Sequence, residues 1–393
     1  MRTVIHTDVC IIGAGPSGLL LSHLLHLYGI SSIVLERQNR SYVEGRVRAG
    51  LLEEGSVAIL RNAGVAERLD RQALVHTGFR LRIDDVEFRF PFTELSGRPV
   101  YMYGQQEVVK DLLAQHDGNG ADAIRFDVNS VAISVDKDAA TVLACVDDAE
   151  LEISCDFVAG CDGFHGVSRA GLPAGITVRY DYAYPVAWYG ILVEAPPCHE
   201  ELIYSVQSTG FALHSMRSPK ISRLYLQVPP GSTRQSLTEE QLWEQLDRRL
   251  LGTSGRLSRG PILESTVVSM RSFICEPMSY QRLFLVGDAA HIVPPSAAKG
   301  LNLALADASS LANALACWYQ RKNRTPLDSY AALALRRAWL GQEFSAVMTE
   351  LLHELDSDCA YLRRLRRVRL HRLARLDNAA KNFAESYVGA NRC

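Results

Sequence analysis

The run Gly13-Ala14-Gly15-Pro16-Ser17-Gly18 constrains this chain more than any other feature, because its glycines fall where a strand must turn into a helix around a phosphate. Thr7 to Ile12 reads as a buried strand, and Ser17 to Leu27 as a helix with a leucine-rich face. Gly29 stops that helix and Ser32 to Glu36 forms the next strand, which completes a βαβ unit. The first glycine permits the tight turn, the second lets a pyrophosphate approach the backbone, and the third lets helix and strand pack closely. Glu36 ends the second strand, about 20 residues along, where an acid takes the hydroxyl pair of a ribose. Gly13, Gly15, Ser17, Gly18 and Glu36 are therefore the expected dinucleotide contacts. No second fingerprint of this kind is present, so a second dinucleotide would dock outside a paired Rossmann domain.

The pattern then changes. Between Thr77 and Tyr103 it turns to short strands, including Phe79 to Ile83 and Glu87 to Phe90, and a helix follows from Gln105 to His116. Strands return from Ala123 to Val146 and from Asp156 to Asp162, and Val178 to Val228 is rich enough in aromatic and β-branched residues for a separate sheet. Arg282 to Asp288 is another buried strand ending in a turn, and beyond Gly300 the chain reads as helical. The expected architecture is an α/β fold with a discontinuous Rossmann-like domain, an inserted β-rich domain and C-terminal helices. Residues 1–74, 102–176 and 272–330 form the dinucleotide domain, residues 75–101 and 177–271 the substrate domain, and residues 331–393 the helical region.

A chain of 393 residues, 47% of them hydrophobic, can bury two lobes around a shared cleft. Its 42 basic and 44 acidic residues leave no global field for a polyanion or an anionic membrane, so neither nucleic acid nor membrane is an expected partner. Nine scattered cysteines, with no C-x-x-C and no interleaved histidines at ligand spacing, read as reduced thiols of a cytoplasmic protein without a metal site. The apolar run Val9 to Leu21 resembles a signal-peptide core, but Gly13, Gly15, Pro16 and Gly18 interrupt it, and it carries the fingerprint itself. Tyr361 to Leu373 is a basic amphipathic helix whose apolar stripe is narrow and lacks base-stacking aromatics. It is expected to dock on the body or on a second subunit.

Two further turns identify the dinucleotide. Cys161-Asp162-Gly163-Phe164-His165-Gly166 and Gly287-Asp288-Ala289-Ala290-His291 each place an aspartate at the end of a buried strand, followed by small residues that admit a ligand. Asp288 suits the ribityl hydroxyls of a flavin, and the two turns together with the fingerprint imply FAD.

With these motifs in place, the chain resembles the class A flavoprotein aromatic hydroxylases over nearly its whole length. In Gly45-Arg46-Val47-Arg48-Ala49-Gly50 the resemblance assigns Arg46 to the pyridine nucleotide and Arg48 to FAD, and in Tyr103-Gly104-Gln105 it puts Gln105 near the flavin. Pro294 to Asn302, including Lys299, Leu301 and Asn302, leads into a helix whose positive end faces the flavin. Ser296 and Ala297 depart from the threonine and glycine of the family pattern. An aromatic acid needs a buried cation, and the resemblance implies Ser215, Arg217 and Tyr225 for its carboxylate. It also implies Tyr204, Tyr387 and the Pro295 carbonyl for the phenol, with His76 as the solvent-side end of a proton relay.

Arg37, Tyr42, Arg46, His165 and Arg271 match positions linked to NAD(P)H, and Arg223 one that governs flavin movement. Arg37 and Tyr42 beside Glu36 favour NADPH over NADH. The activity so implied is hydroxylation of a small phenolic acid with NADPH and O2 through a flavin hydroperoxide, in a homodimer. A hydroxylase of 3-hydroxybenzoate or an aminobenzoate is one alternative, and a non-catalytic FAD-binding scaffold another.

Overall fold

Four strands of the larger α/β unit end side by side, and that alignment positions the cofactor site. The computed structural model describes residues 3–48, 50–84, 86–119, 123–146, 149–252, 255–355 and 358–390. Strand Thr3–Ile12 runs parallel to Ser32–Leu35 on one side and to Ala149–Gly160 on the other, and Ala149–Gly160 in turn pairs in parallel with Leu283–Leu285. Register places Ile12 beside both Leu35 and Gly160, and Gly160 beside Leu285. The residues that follow, Gly13, Glu36, Cys161 and Val286, therefore share one edge of the sheet, where ligands of doubly wound folds sit. Helix Pro16–Leu27 packs its leucines into the core of this unit together with Gly300–Arg321 and Thr325–Leu352.

The second sheet has eight strands. Leu202–Gln207 pairs in parallel with Gly78–Ile83 and antiparallel with Gly210–Ser218, so the early β-rich segment and the later one build a single surface, as expected. Strand Ile262–Glu276 carries the chain back: Met270 packs into the core under this sheet, while Phe273 and Cys275 pack into the core of the first unit. The expected division at residues 271 and 272 falls inside this strand. A helix that the strand-rich reading passes over, Glu239–Leu250, covers the sheet's other face. Its start is fixed by a capping box between Thr238 and Gln241, and Leu242, Trp243, Leu246 and Leu250 face inward.

The basic helix, Ala360–Arg375, docks on the body. Leu370 is buried, Arg366 pairs with Asp358 at 2.7 Å and donates to the Glu350 carbonyl at 2.8 Å, and Arg367 pairs with Asp84 and Glu354. No helix among the described residues is long and apolar enough to cross a membrane.

Candidate active site

The fingerprint turn has the geometry its glycines require. Gly13 adopts φ +104°, and a Cβ there would lie 2.6 Å from the Cys161 carbonyl oxygen. A Cβ on Gly18 would meet the Gly13 carbonyl oxygen at 2.0 Å, whereas above Gly15 there is open space. Close packing is thus confined to the two outer glycines, and the middle one faces the region a pyrophosphate would enter, at the start of helix Pro16–Leu27. Ser17 is buried beside it. Glu36 braces the turn from the next strand, accepting from the Ala14 amide and the Gln38 amide at 2.8 Å each.

Across the same sheet edge, Asp162 accepts from the Ser168 amide and hydroxyl through one oxygen and leaves the buried Oδ1 without a partner. Asp288 is exposed at the same sheet edge. Desolvation by the protein around it raises its pKa, while His291, Arg48 and Arg46 pull it back. Arg48 in turn has its pKa lowered by burial. These residues come from positions up to 275 apart in the chain (288 − 13), yet they surround one crevice. An orphaned buried carboxylate oxygen, a second carboxylate open to the crevice and the space over Gly15 fit the hydroxyls and pyrophosphate of FAD.

The crevice leads to the second sheet. In strand Gly210–Ser218 side chains alternate up to a bulge at Arg217, so Leu213 and Ser215 share a face, and Leu213 sits opposite both Tyr204 and Tyr225 on the neighbouring strands. Arg217 donates to the Ser215 hydroxyl at 3.3 Å and makes no ion pair among the described residues; burial lowers its pKa. Tyr225 fits only because residue 190 is glycine, since a Cβ there would touch its ring at 2.8 Å.

At the other end Tyr204 Oη lies 2.8 Å from Tyr387 Oη, and it donates to the Ser296 carbonyl at 3.3 Å. Both tyrosines are buried: Tyr204 is pushed up to about 12 and Tyr387 well above the ordinary phenol range, burial being the main cause in each. Tyr387, on helix Asp377–Tyr387, stacks on Phe92 at 4.8 Å and Phe79 at 5.3 Å. The Pro295 carbonyl accepts from the Ala298 amide at 3.1 Å in the turn that follows.

His76 departs from its expected place at the solvent end of a relay. The strand Leu74–His76 alternates, leaving Val75 57% exposed and turning His76 inward to 2%, opposite Val100. Burial pushes its pKa down to about 4, and neither ring nitrogen is hydrogen-bonded, so no bond joins it to either tyrosine.

Lys299 also looks away from the crevice. Its ammonium binds Glu53 at 2.7 Å and the Ser386 and Tyr387 carbonyls at 2.6 and 2.8 Å, which staples the terminal helix to the turn before Gly300. Asn302 accepts from the Glu53 amide at 2.9 Å and donates to the Leu51 carbonyl at 3.0 Å. Leu301 and Gln105 are half-buried. Arg37, Tyr42, Arg46 and His165 are exposed, Arg46 lying 6.0 Å from the Tyr42 ring centre. Arg271 is held by Asp181 over the Phe164 ring, and the buried Arg223 pairs with Glu264 at 3.2 Å.

The sequence reading missed a chain of contacts behind the site. Trp188 Nε1 donates to His353 Nε2 at 2.7 Å, His353 Nδ1 donates to the Thr349 carbonyl at 2.7 Å, and the Thr349 hydroxyl meets that of Ser296 at 3.0 Å. No motif marks these residues. The polar positions within the otherwise buried faces of the last helices were the available signal.

A single-fingerprint α/β unit whose strand ends gather Gly13, Glu36, Asp162 and Asp288, joined to a second sheet that carries Tyr204, Ser215, Arg217 and Tyr225, is the architecture of an FAD-dependent oxidoreductase. Residues 6–345 match the family model described as FAD binding domain, and the chain belongs to this family of flavoprotein aromatic hydroxylases. It is 40% identical over 385 residues to the p-hydroxybenzoate hydroxylase of Acinetobacter baylyi, covering 98% of this chain and 95% of that one. A 3-(3-hydroxy-phenyl)propionate/3-hydroxycinnamic acid hydroxylase of Burkholderia vietnamiensis is 26% identical and matches 79% of this chain and 56% of its own. The crystal structure of p-nitrophenol 4-monooxygenase PnpA from Pseudomonas putida DLL-E4 shares the fold, with a TM-score of 0.83 at 18% identity and 99% of each chain covered.

Proposed function

We propose that this chain hydroxylates 4-hydroxybenzoate at the 3-position, giving 3,4-dihydroxybenzoate, with NADPH as reductant and O2 as oxidant. The observation that carries this reading is a pair of unlike groups on the second sheet and the helix beside it: Arg217, which makes no ion pair among the described residues, and the hydrogen-bonded Tyr204 and Tyr387 hydroxyls. A buried guanidinium without a counter-ion is costly unless an anion joins it, and a carboxylate matches its fork. Ser215 and Tyr225 would fix the plane of that carboxylate. The relative from Acinetobacter baylyi carries a name that agrees with this substrate.

Gly13, Gly15, Ser17 and Gly18 would hold the pyrophosphate of FAD, Glu36 its ribose and Asp288 its ribityl chain. Arg48, Gln105, Asp162, Leu301 and Asn302 would line the rest, with Lys299 holding the turn before Gly300 in place through Glu53 and the terminal helix. Bound FAD, once reduced, supplies the activated oxygen. The work of the chain is to hold the ring in line and deprotonate the phenol: Tyr204 takes the phenol proton as Tyr387 accepts in turn, with the Pro295 carbonyl facing the same oxygen. Beyond Tyr387 the proton needs bound water to leave, because His76, although neutral near pH 7, is 2% exposed and makes no bond to either tyrosine. Loss of that proton makes the carbon ortho to the phenolate nucleophilic. Arg37, Tyr42, Arg46, His165 and Arg271 would receive NADPH in an open groove, and Arg223 would follow the flavin ring.

The test is NADPH oxidation against a panel of hydroxybenzoates and aminobenzoates, with products identified. 4-Hydroxybenzoate should accelerate oxidation and yield 3,4-dihydroxybenzoate. Acceleration by 3-hydroxybenzoate or an aminobenzoate instead would redirect the assignment, and failure to consume oxygen with any acid would favour an FAD-binding scaffold.

The partner we infer is a second copy of the chain. Helix Thr325–Leu352 turns Leu333, Trp339, Leu340 and Val347 to solvent, an unusual load of large apolar groups for one outward face. Arg336 and Glu343 lie on the same face and have no ion-pair partner among the described residues. Each stands about one turn from the Trp339-Leu340 step, on opposite sides. Antiparallel packing of two copies about that step would bring each Arg336 to the other copy's Glu343.

A further inference from the structure

Beneath the turn that presents Asp288 lies a buried charge cluster that the proposed chemistry does not use. Asp307, on helix Gly300–Arg321, is fully buried. Its Oδ2 accepts from the Gly287 amide at 3.3 Å and from His291 Nε2 at 2.7 Å, and its Oδ1 accepts from Arg337 at 3.1 Å. Gly287 and His291 bracket the Asp288 turn, and Arg337 comes from helix Thr325–Leu352. That helix also donates from the Tyr330 hydroxyl to the carbonyl of Leu285, the last residue of the strand leading into the turn, at 2.8 Å.

The turn has little freedom of its own. Gly287 adopts φ +60°, and a Cβ there would strike the Ala304 side chain at 2.8 Å, so the backbone is pressed against helix Gly300–Arg321. Alongside these contacts stands an apolar helix stretch, Leu303 to Ala308, in which Asp307 is the only charged residue. A buried carboxylate costs several kcal/mol unless paired, and here His291 and Arg337 pair it. Burial works against a charge on His291, but Asp307 outweighs it and raises the imidazole pKa.

We infer that Asp307 is a positioning residue for the flavin half of FAD: its carboxylate, neutralised by His291 and Arg337, fixes the Gly287 amide and thereby the direction in which Asp288 faces the crevice. The adenosine half depends instead on the fingerprint turn and Glu36, at the other side of the sheet edge. This inference rests on FAD being the cofactor and is independent of which aromatic acid is hydroxylated.

The experiment titrates the full-length chain, stripped of flavin, with FAD and separately with ADP, following fluorescence quenching for FAD and displacement for ADP. Asp307→Asn keeps an acceptor but loses the charge that holds the cluster together. Its FAD affinity should fall roughly tenfold or more while ADP affinity stays within about twofold of wild type. His291→Gln, which keeps a donor to Asp307, should weaken FAD by about threefold with ADP again unchanged. Unchanged FAD affinity in Asp307→Asn, or FAD and ADP weakened in parallel, would overturn the inference. If Asp307→Asn yields no folded protein, His291→Gln decides by the same two readings. Failure of either variant to bind aromatic acid productively has no bearing on these titrations, so the two proposals fail separately.

Discussion

Tyr204 Oη and Tyr387 Oη stand 2.8 Å apart although 183 residues separate them in the chain. One hydroxyl comes from the middle of the second sheet and the other from the last helix, and they meet because Phe79 packs against both rings while Phe92 and Phe383 hold Tyr387 in place. Removing the hydroxyl from Tyr204 should leave this aromatic packing nearly intact and break the proton path. In Tyr204→Phe, FAD should bind as in wild type, while hydroxylated product per NADPH consumed falls by about tenfold or more. Product yield equal to wild type would dispose of the relay.

Arg217 makes no ion pair among the described residues, and it donates to the Ser215 hydroxyl at 3.3 Å. Arg217→Lys replaces a planar fork with a point charge, so the KM for the aromatic acid should rise by about 30- to 100-fold, equivalent to roughly 2–3 kcal/mol. FAD affinity should not move. A KM within twofold of wild type would show that the carboxylate lies elsewhere.

Three histidines, His76, His214 and His353, are each at most 2% exposed and pushed down to about 4 by burial. In the unfolded chain each takes up its proton around the ordinary value of about 6.5. Between those limits the unfolded state binds more protons, so the stability these groups contribute is full above about pH 6.5 and is lost as the pH falls towards 4. Each should add about 1.4 kcal/mol per pH unit to the slope of unfolding free energy near pH 5. Denaturant titrations from neutral pH down to about pH 5 measure that slope, and His214→Asn should remove roughly one histidine's share. An identical slope in the variant would mean that His214 is protonated in the folded protein.

The outward face of helix Thr325–Leu352 gives a charge-swap test of self-association. Arg336→Glu should shift the sedimentation profile towards monomer by setting like charges against each other, and adding Glu343→Arg should restore the dimer. A double variant that stays as monomeric as the single one would place the interface on another face.

The cofactor region was largely legible in the amino-acid order because its chemistry is local. Gly13 to Gly18, Glu36, Asp162 and Asp288 each follow a short apolar strand, and strand-turn pairs of this kind are specified by neighbours within a few residues. Parallel pairing then brings the strand ends together, so the expected Rossmann-like sheet and the inserted sheet both emerged.

Side-chain direction and distant partnerships were not legible in that way. His76 turned inward because of the alternation of a strand too short for its phase to be read. Lys299 turned towards Glu53 and the carbonyls of Ser386 and Tyr387, groups that lie far away in sequence. Asp307 found His291 and Arg337 on two other elements, and Trp188 found His353 165 residues on. Local order thus determined which strands turn around a dinucleotide, since backbone conformation answers to nearby residues. Which buried polar group meets which was decided only when the packed lobes removed water and left each donor and acceptor to the neighbours that tertiary structure supplied.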